Sequence, residues 1–183
     1  MRRAALALAA GAVLVAACAG IPEQTSDRAN CVGLFQQYDI YANAMPSEVR
    51  DPWTGRERTP WPLAQYRRLL VQNDCMTRPR DLAGLDAVAA ARRAEGWRLA
   101  DSGPPAPRPG SVHAGTVTSD AEAARAVAFF EGFGIRATSI GAQGLGRRVF
   151  IGPFRSQGAV GEAILLATEA GFVAPYASRF FRF

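Results

Sequence analysis

The spacing of apolar residues predicts three helices in the first half of the chain. From Asn30 onward the apolar positions fall on one face of a helix: Cys31, Leu34, Phe35, Tyr38, Tyr41, Ala42 and Met45. A second helix is predicted from Pro62, a favoured first-turn residue, to about Cys75. A third follows Asp81, a good N-cap, and ends at Gly96. Residues 30–100 therefore form a predicted small helical module.

The second half of the chain contains a repeat. A shift of 37 positions aligns Gly115 with Gly152 and Ser119 with Ser156, and it matches apolar residues on both sides of them. Each unit is a strand, a glycine turn, a serine-capped helix, a glycine stop and a second strand. Two such units predict a β-α-β-β-α-β domain of ferredoxin-like type with a four-stranded antiparallel sheet. The fold class is therefore α+β, and this domain spans residues 111–183.

Alternation along the strands predicts which side chains share a face. The side chains expected to face the helices are Val112, Ala114, Val149 and Ile151. Arg148, Phe150 and His113 then point to the opposite face, which we expect to be open because both helices cover the other one. Ferredoxin-like order makes the first and third strands central. We therefore expect His113 and Arg148 to lie close together, with Tyr176 on the fourth strand beside them.

The clearest boundary lies at residues 101–110, which hold four prolines and two glycines. Such a composition is typical of an extended, semi-rigid linker. The predicted organisation is a signal segment (1–17), a modified cysteine with its tether (18–29), the helical module (30–100), the linker (101–110) and the sheet domain (111–183).

Charge and composition narrow the function classes. The net charge is +5, and it falls to +3 (19 Lys+Arg minus 16 Asp+Glu) without Arg2 and Arg3, which we expect to be removed. This mild surplus suits an acidic polymer but does not by itself indicate nucleic acid. The chain has one histidine, and no motif places a Ser/His/Asp or Cys/His arrangement. We therefore predict no catalysis, no cofactor and no metal.

The N-terminus resembles a bacterial lipoprotein signal. Two arginines precede an apolar run, residues 4–16, that is too short to span a bilayer. The run ends in Leu-Val-Ala-Ala-Cys, which resembles the lipobox and implies cleavage before Cys18, diacylglyceryl transfer to it and N-acylation. Ala19, in place of the aspartate associated with inner-membrane retention, implies the periplasmic face of the outer membrane. The alternative is an ordinary signal peptide whose cleavage site contains cysteine.

If Cys18 carries lipid, Cys31 and Cys75 remain. In an oxidising periplasm a disulfide between them is the simplest prediction, and a metal or redox site is the alternative. A closed loop of roughly 44 residues would contribute about 4 kcal/mol of stability. Trp53 and Trp61 either fill gaps in the small core or form a binding surface; we predict the core.

One strand carries a family resemblance. Residues 148–154, Arg-Val-Phe-Ile-Gly-Pro-Phe, resemble the hallmark strand of the SPOR family, which is Arg-Val-x-(Val/Ile)-Gly-Pro-Phe. Residues 112–117 resemble the family's first strand more weakly, with His113 in place of its glutamine. The resemblance covers residues 111–178. It implies binding to peptidoglycan glycan strands stripped of stem peptides, which form where amidases work at the division septum.

The resemblance also implies a binding site made of His113, Thr116, Arg148 and Tyr176. An arginine fork suits the lactyl carboxylates of denuded strands, His113 and Thr116 suit sugar hydroxyls or acetamides, and Tyr176 or Phe150 would stack on a pyranose ring. The alternatives are that Arg148 is a solvated strand residue and that His113 is a tolerated substitution. Phe150 could equally pack against Arg147 or the C-terminal tail.

The predicted function is a non-catalytic outer-membrane lipoprotein that binds peptidoglycan in cell division or envelope organisation. The alternative is an adaptor whose helical module recruits a cell-wall enzyme or division protein. RNA binding is excluded because the strand aromatics do not fit the RNA-binding motif and the signal exports the chain. The aromatic, basic tail at residues 179–183 could lie on the membrane, bind a partner or cover a sheet edge; we predict edge cover.

Overall fold

A computed structural model describes residues 30–44, 49–51, 53–100, 102–142 and 144–183. The signal segment, Cys18 and the tether lie outside these residues, so the lipid anchor stays a prediction. In the ranges just given, no helix has both the length and the apolar character that crossing a bilayer requires.

The helices and the four strands of the sheet domain follow the predicted order, and two short strands that were not predicted lie between the first two helices. The helices are α1 (Cys31–Ala44), α2 (Trp61–Gln72), α3 (Leu85–Ala94), α4 (Asp120–Glu131) and α5 (Gln157–Glu169). The strands are β1 (Val49–Arg50), β2 (Glu57–Arg58), β3 (Pro105–Val117), β4 (Ala137–Ala142), β5 (Gly146–Ser156) and β6 (Tyr176–Ser178). β1 and β2 form a small separate hairpin.

The main sheet has the strand order β4-β5-β3-β6, with every neighbouring pair antiparallel. This is the predicted ferredoxin-like order, so the α+β fold class is confirmed. The two central strands pair Val112 with Ile151 and His113 with Phe150. As predicted, Val112 and Ile151 lie in one core with buried residues of α4 and α5. The opposite face therefore carries the polar side chains of interest.

Both long helices of the domain begin as their sequences predict. The Ser119 hydroxyl accepts a hydrogen bond from the Glu122 backbone N–H, and the Glu122 carboxylate accepts one from the Ser119 N–H. Ser156 caps α5 by accepting from the Ala159 N–H. These caps satisfy backbone donors that the first helical turn leaves without partners. The predicted N-cap at Asp81 is wrong, because α3 begins after Gly84 and Asp81 accepts from the Arg78 N–H in the preceding turn.

The helical module is not a separate body joined by a spacer. From Pro105 onward the expected linker is part of β3, where extended backbone tolerates proline. Leu82, Leu85 and Ala89 share the core under α4 and α5. The segment after α2 also joins the sheet, since the Thr77 N–H donates to the Thr116 carbonyl. The two halves of the chain therefore fold against each other.

The expectation of an open sheet face is wrong. Helix α1 lies across it and buries Phe35, Tyr38 and Asp39. Farther along the face, the ring of Phe181 in the C-terminal tail stacks on Phe150 at 4.3 Å between centroids. The tail thus contacts the face of the sheet, in addition to the bond that the Ser111 hydroxyl of β3 donates to the Phe181 carbonyl. The apolar face of α1 and the stacked rings of Phe150 and Phe181 therefore shield the polar strand residues from water.

A disulfide fixes the start of α1. Cys31 and Cys75 are bonded, with their Cα atoms 5.4 Å apart, which confirms the predicted pairing. Cys75 lies two residues before Thr77, whose hydroxyl accepts from the Val173 N–H and whose N–H is bonded to β3. The disulfide therefore ties α1 to a segment that is itself anchored on the sheet.

Candidate functional site

Five side chains on the covered face of the sheet form what we call the platform: His113, Thr116, Arg148, Phe150 and Tyr176. They come from the two central strands and the edge strand β6, and none is more than 8% exposed. The structure therefore brings together every residue that the family resemblance implied. It also removes the alternative that Arg148 is a solvated strand residue.

Thr116 reaches the platform through a β-bulge. In a regular strand, residues 113 and 116 would point to opposite faces. Here His113 pairs with Phe150 and Thr116 with Arg148, so β3 contains one residue more than β5 over this stretch. The extra residue restores Thr116 to the covered face, where its Oγ1 lies 3.1 Å from His113 Nε2. Strict alternation along the sequence would have missed Thr116.

The centre of the platform holds a carboxylate supplied by α1. Arg148 Nη1 lies 2.6 Å from Asp39 Oδ1, and the Tyr176 hydroxyl donates to Asp39 Oδ2 at 2.6 Å. Arg148 Nη2 donates to the same hydroxyl at 3.1 Å, which closes a three-membered network. The side chains of Asp39 and Arg148 are 3% and 9% exposed. Charge-assisted bonds of this kind are the strong ones, and here water is excluded from them.

Asp39 is the site residue that sequence reasoning missed. It is the only charged residue of α1 and lies beside Tyr38 on the face with the other apolar positions. A lone carboxylate on an otherwise apolar helix face indicates a buried cationic partner, and this signal was available in the sequence. Its partner was not, because Asp39 and Arg148 are distant in the chain.

Aromatic rings enclose the Arg148 guanidinium. Its central carbon lies 5.0 Å from the centroid of the Phe150 ring, 5.3 Å from that of Tyr38 and 5.9 Å from that of Phe35. Contacts of this length contribute cation–π attraction. His113 is likewise surrounded, with the centroid of Phe35 at 4.7 Å. Two rings of α1 thus take part in holding the cation on the sheet.

Burial and charge set the protonation of the platform. Burial opposes the charge of Arg148, but the hydrogen bond and the negative charge of Asp39 outweigh it and raise the pKa of Arg148. Burial raises the pKa of Tyr176, so its hydroxyl stays a proton donor. Burial, and secondly the charge of Arg148, lower the pKa of His113 well below its usual 6.5. The platform therefore presents one fixed cation and neutral polar groups, a combination suited to a carboxylate.

Two platform atoms keep unused hydrogen-bonding capacity. His113 Nδ1 and Arg148 Nε are buried and have no hydrogen-bond partner among the residues that the structure describes. Unsatisfied buried polar atoms are costly and uncommon in native proteins. Asp39 therefore satisfies only part of the hydrogen-bonding capacity of the platform side chains.

The buried histidine makes folding stability depend on pH. We expect the unfolding free energy of the wild type, relative to His113→Gln, to be constant above about pH 6.5 and to fall by up to about 1.4 kcal/mol for each pH unit below it. The reason is that the unfolded chain binds a proton near pH 6.5, whereas the folded chain resists protonation beside Arg148. Urea titrations of both proteins between pH 5 and 8 measure this difference. If the unfolding free energies of the two proteins changed with pH in parallel, this prediction would be wrong. The chain has a single histidine, so a difference between the two proteins is assigned to His113.

Outside the platform, Trp53 and Trp61 do not fill the core of the helical module. Trp53 is 92% exposed and Trp61 is 73% exposed, so the predicted core role is wrong for both. The tyrosines pack instead: the Tyr41 and Tyr66 rings stack at 5.4 Å, and Tyr38 is buried. The tryptophans thus remain on the surface of the module.

Comparison with known proteins adds no relative. The chain matches no family model, no curated protein and no solved structure. The SPOR resemblance therefore rests on the motif of residues 148–154 and on the weaker match of residues 112–117.

Proposed function

We propose that this chain is a non-catalytic, lipid-anchored envelope protein that binds denuded peptidoglycan glycan strands through the platform. The observation that carries the proposal is the carboxylate already held there. Arg148 and Tyr176 contact both oxygens of Asp39, so the platform has the charge and donors that a lactyl carboxylate of a glycan strand requires.

Two further features support a glycan ligand. The Phe150 ring lies beside the cation and the Tyr176 ring lies beside His113, and both are rings of the kind that stack on sugar faces. His113 with Thr116 adds polar groups able to bond hydroxyls or acetamides. The ferredoxin-like strand order predicted from the repeat places these strand residues together on one face. We further propose, from the signal segment, that the protein lies at the periplasmic face of the outer membrane and acts in division or envelope organisation.

Retention on cell-wall sacculi tests this function. We expect the chain to be retained more on amidase-treated sacculi than on untreated ones, because only the former expose strands without stem peptides. The closed face will keep retention of the wild type weak, so Asp39→Asn should be assayed beside it. Equal retention on both sacculi would contradict selectivity for denuded strands. Failure of both proteins to bind either preparation would remove the proposed function.

The exposed tryptophans favour a second candidate, an adaptor whose helical module recruits an envelope protein. Residues 49–72 hold five arginines and two acidic residues, so this segment has a net charge of +3. The chain from residue 18 onward has the same net charge of +3. Arginine beside exposed tryptophan is typical of protein interfaces. Trp53 and Trp61 are solvent-exposed and are not platform residues, so both functions are compatible.

A photo-crosslinking amino acid at position 53 tests the adaptor. We expect it to trap a discrete envelope protein in cells, whereas the same amino acid at Leu165, a 63% exposed apolar position on α5, should not. Trp53→Ala should change the unfolding free energy by less than about 0.5 kcal/mol, because the side chain is solvated. Identical crosslinking patterns from both positions would remove the adaptor.

A further inference from the structure

Helix α1 covers the platform side chains that a ligand would have to contact. It supplies the carboxylate on Arg148, the Phe35 ring against His113, and the Tyr38 ring near the Arg148 guanidinium. A glycan strand cannot contact these strand residues while α1 is in place. The platform is therefore either a permanent piece of core or a site that its own chain has closed.

Resting on the proposed function, we infer that α1 is an internal competitor of the glycan strand, with the Asp39 carboxylate in the place of a sugar-borne carboxylate. The protein binds denuded glycan through the platform only when α1 leaves it. The disulfide holds the start of α1 beside Cys75 in both states, so the helix returns to the platform when ligand is absent.

Three observations support competition over a permanent core. The contact at the centre is a charged pair, which apolar residues of similar size could replace with equal or better stability. His113 Nδ1 and Arg148 Nε remain without partners under α1. Finally, the disulfide ties the start of α1 to the segment around Thr77 that is bonded to the sheet, which gives the helix a high effective concentration as a weak internal ligand.

Direct binding of amidase-prepared denuded glycan chains by the full chain in detergent tests the inference. Asp39→Asn removes the competing charge with little change of shape, so its affinity should exceed that of the wild type at least tenfold. Asp86→Asn, the same substitution at an exposed position on α3, should bind like the wild type. The double variant Asp39→Asn/Arg148→Gln should lose the gain, because the freed platform then lacks its cation.

Each outcome separates the inference from the proposed function. If wild type and Asp39→Asn bind with equal affinity, α1 does not compete and the inference is overturned, while glycan binding survives at another surface. If neither binds, the proposed function falls and the inference with it. A gain that persists in the double variant would also overturn the inference, since the site would not involve Arg148.

Amide hydrogen exchange on the wild type gives a second readout that needs no variant. Saturating denuded glycan should speed exchange of the amides in residues 31–44 while it protects strands β3 and β5. Slower or unchanged exchange in α1 with glycan bound would show that helix and ligand do not exclude each other, and it would overturn the inference even if Asp39→Asn failed to fold.

Discussion

Asp39→Ala is expected to lower the unfolding free energy by about 3–5 kcal/mol, because it leaves the Arg148 guanidinium buried without its counter-ion. The Tyr176 hydroxyl also loses its acceptor. Urea denaturation at pH 7 measures the change, and Asp86→Ala on an exposed turn of α3 is the matched control, expected within about 0.5 kcal/mol of wild type.

The drop in unfolding free energy of Asp39→Ala also sets a lower limit on the free energy needed to lift α1 from the platform. The variant can solvate Arg148 by lifting α1 instead of unfolding, so the loss cannot exceed the free energy of lifting the helix. Asp39→Ala/Arg148→Met should recover most of the stability, because it removes the stranded charge together with its partner. A loss below about 1 kcal/mol would contradict this prediction, because either the buried pair does not form in solution or α1 lifts at a cost below that value.

Removal of the disulfide has the second large expected effect. Cys31→Ser/Cys75→Ser should lower the unfolding free energy by about 4 kcal/mol, since the crosslink closes a loop with a sequence separation of 44. Reductant should destabilise the wild type by a similar amount and leave the double variant unchanged, which provides the control. Equal denaturation midpoints for oxidised and reduced wild type would contradict this prediction.

The energetics of closure explain why the wild type should bind glycan weakly. Lifting α1 re-exposes Phe35 and Tyr38, at a cost of about 1.5–3 kcal/mol for each large apolar side chain, before the ion pair is counted. A total near 5 kcal/mol would leave the platform open in fewer than about one molecule in a thousand. The apparent affinity falls by the same fraction. Tight binding by the wild type would therefore place its glycan site on another surface.

The sequence predicted the parts of the fold that depend on neighbouring residues. The Ser119–Glu122 capping box, the Gly146–Phe154 strand and the inward Val149 and Ile151 all follow from local chemistry and short-period alternation. The pairing of Cys31 with Cys75 followed from the count of available cysteines. Strand order followed from the repeat, because two β-α-β units in tandem leave few ways to form one sheet.

The covering of the platform could not be predicted in the same way. The apolar face of α1 predicts that the helix packs against another element, but the spacing of its apolar residues does not identify that element. The prolines of residues 104–109 indicated a spacer between bodies, whereas Pro105–Gly110 extends β3 and brings the two halves together. Once the halves meet, the open sheet face and the unpaired helix face bury each other. That is the outcome that two-layer packing favours.

The central claim is that α1 covers a cationic platform that contains the chain's only histidine, and NMR titration of that imidazole tests it most directly. Under α1, His113 is fully buried beside Arg148, so its resonances should show no protonation step near pH 6.5 and should titrate only well below it. In Asp39→Asn, where the cover is loosened, the step should move toward the usual value. An ordinary titration near pH 6.5 in the wild type would contradict the account, because it would place His113 in water on an open sheet.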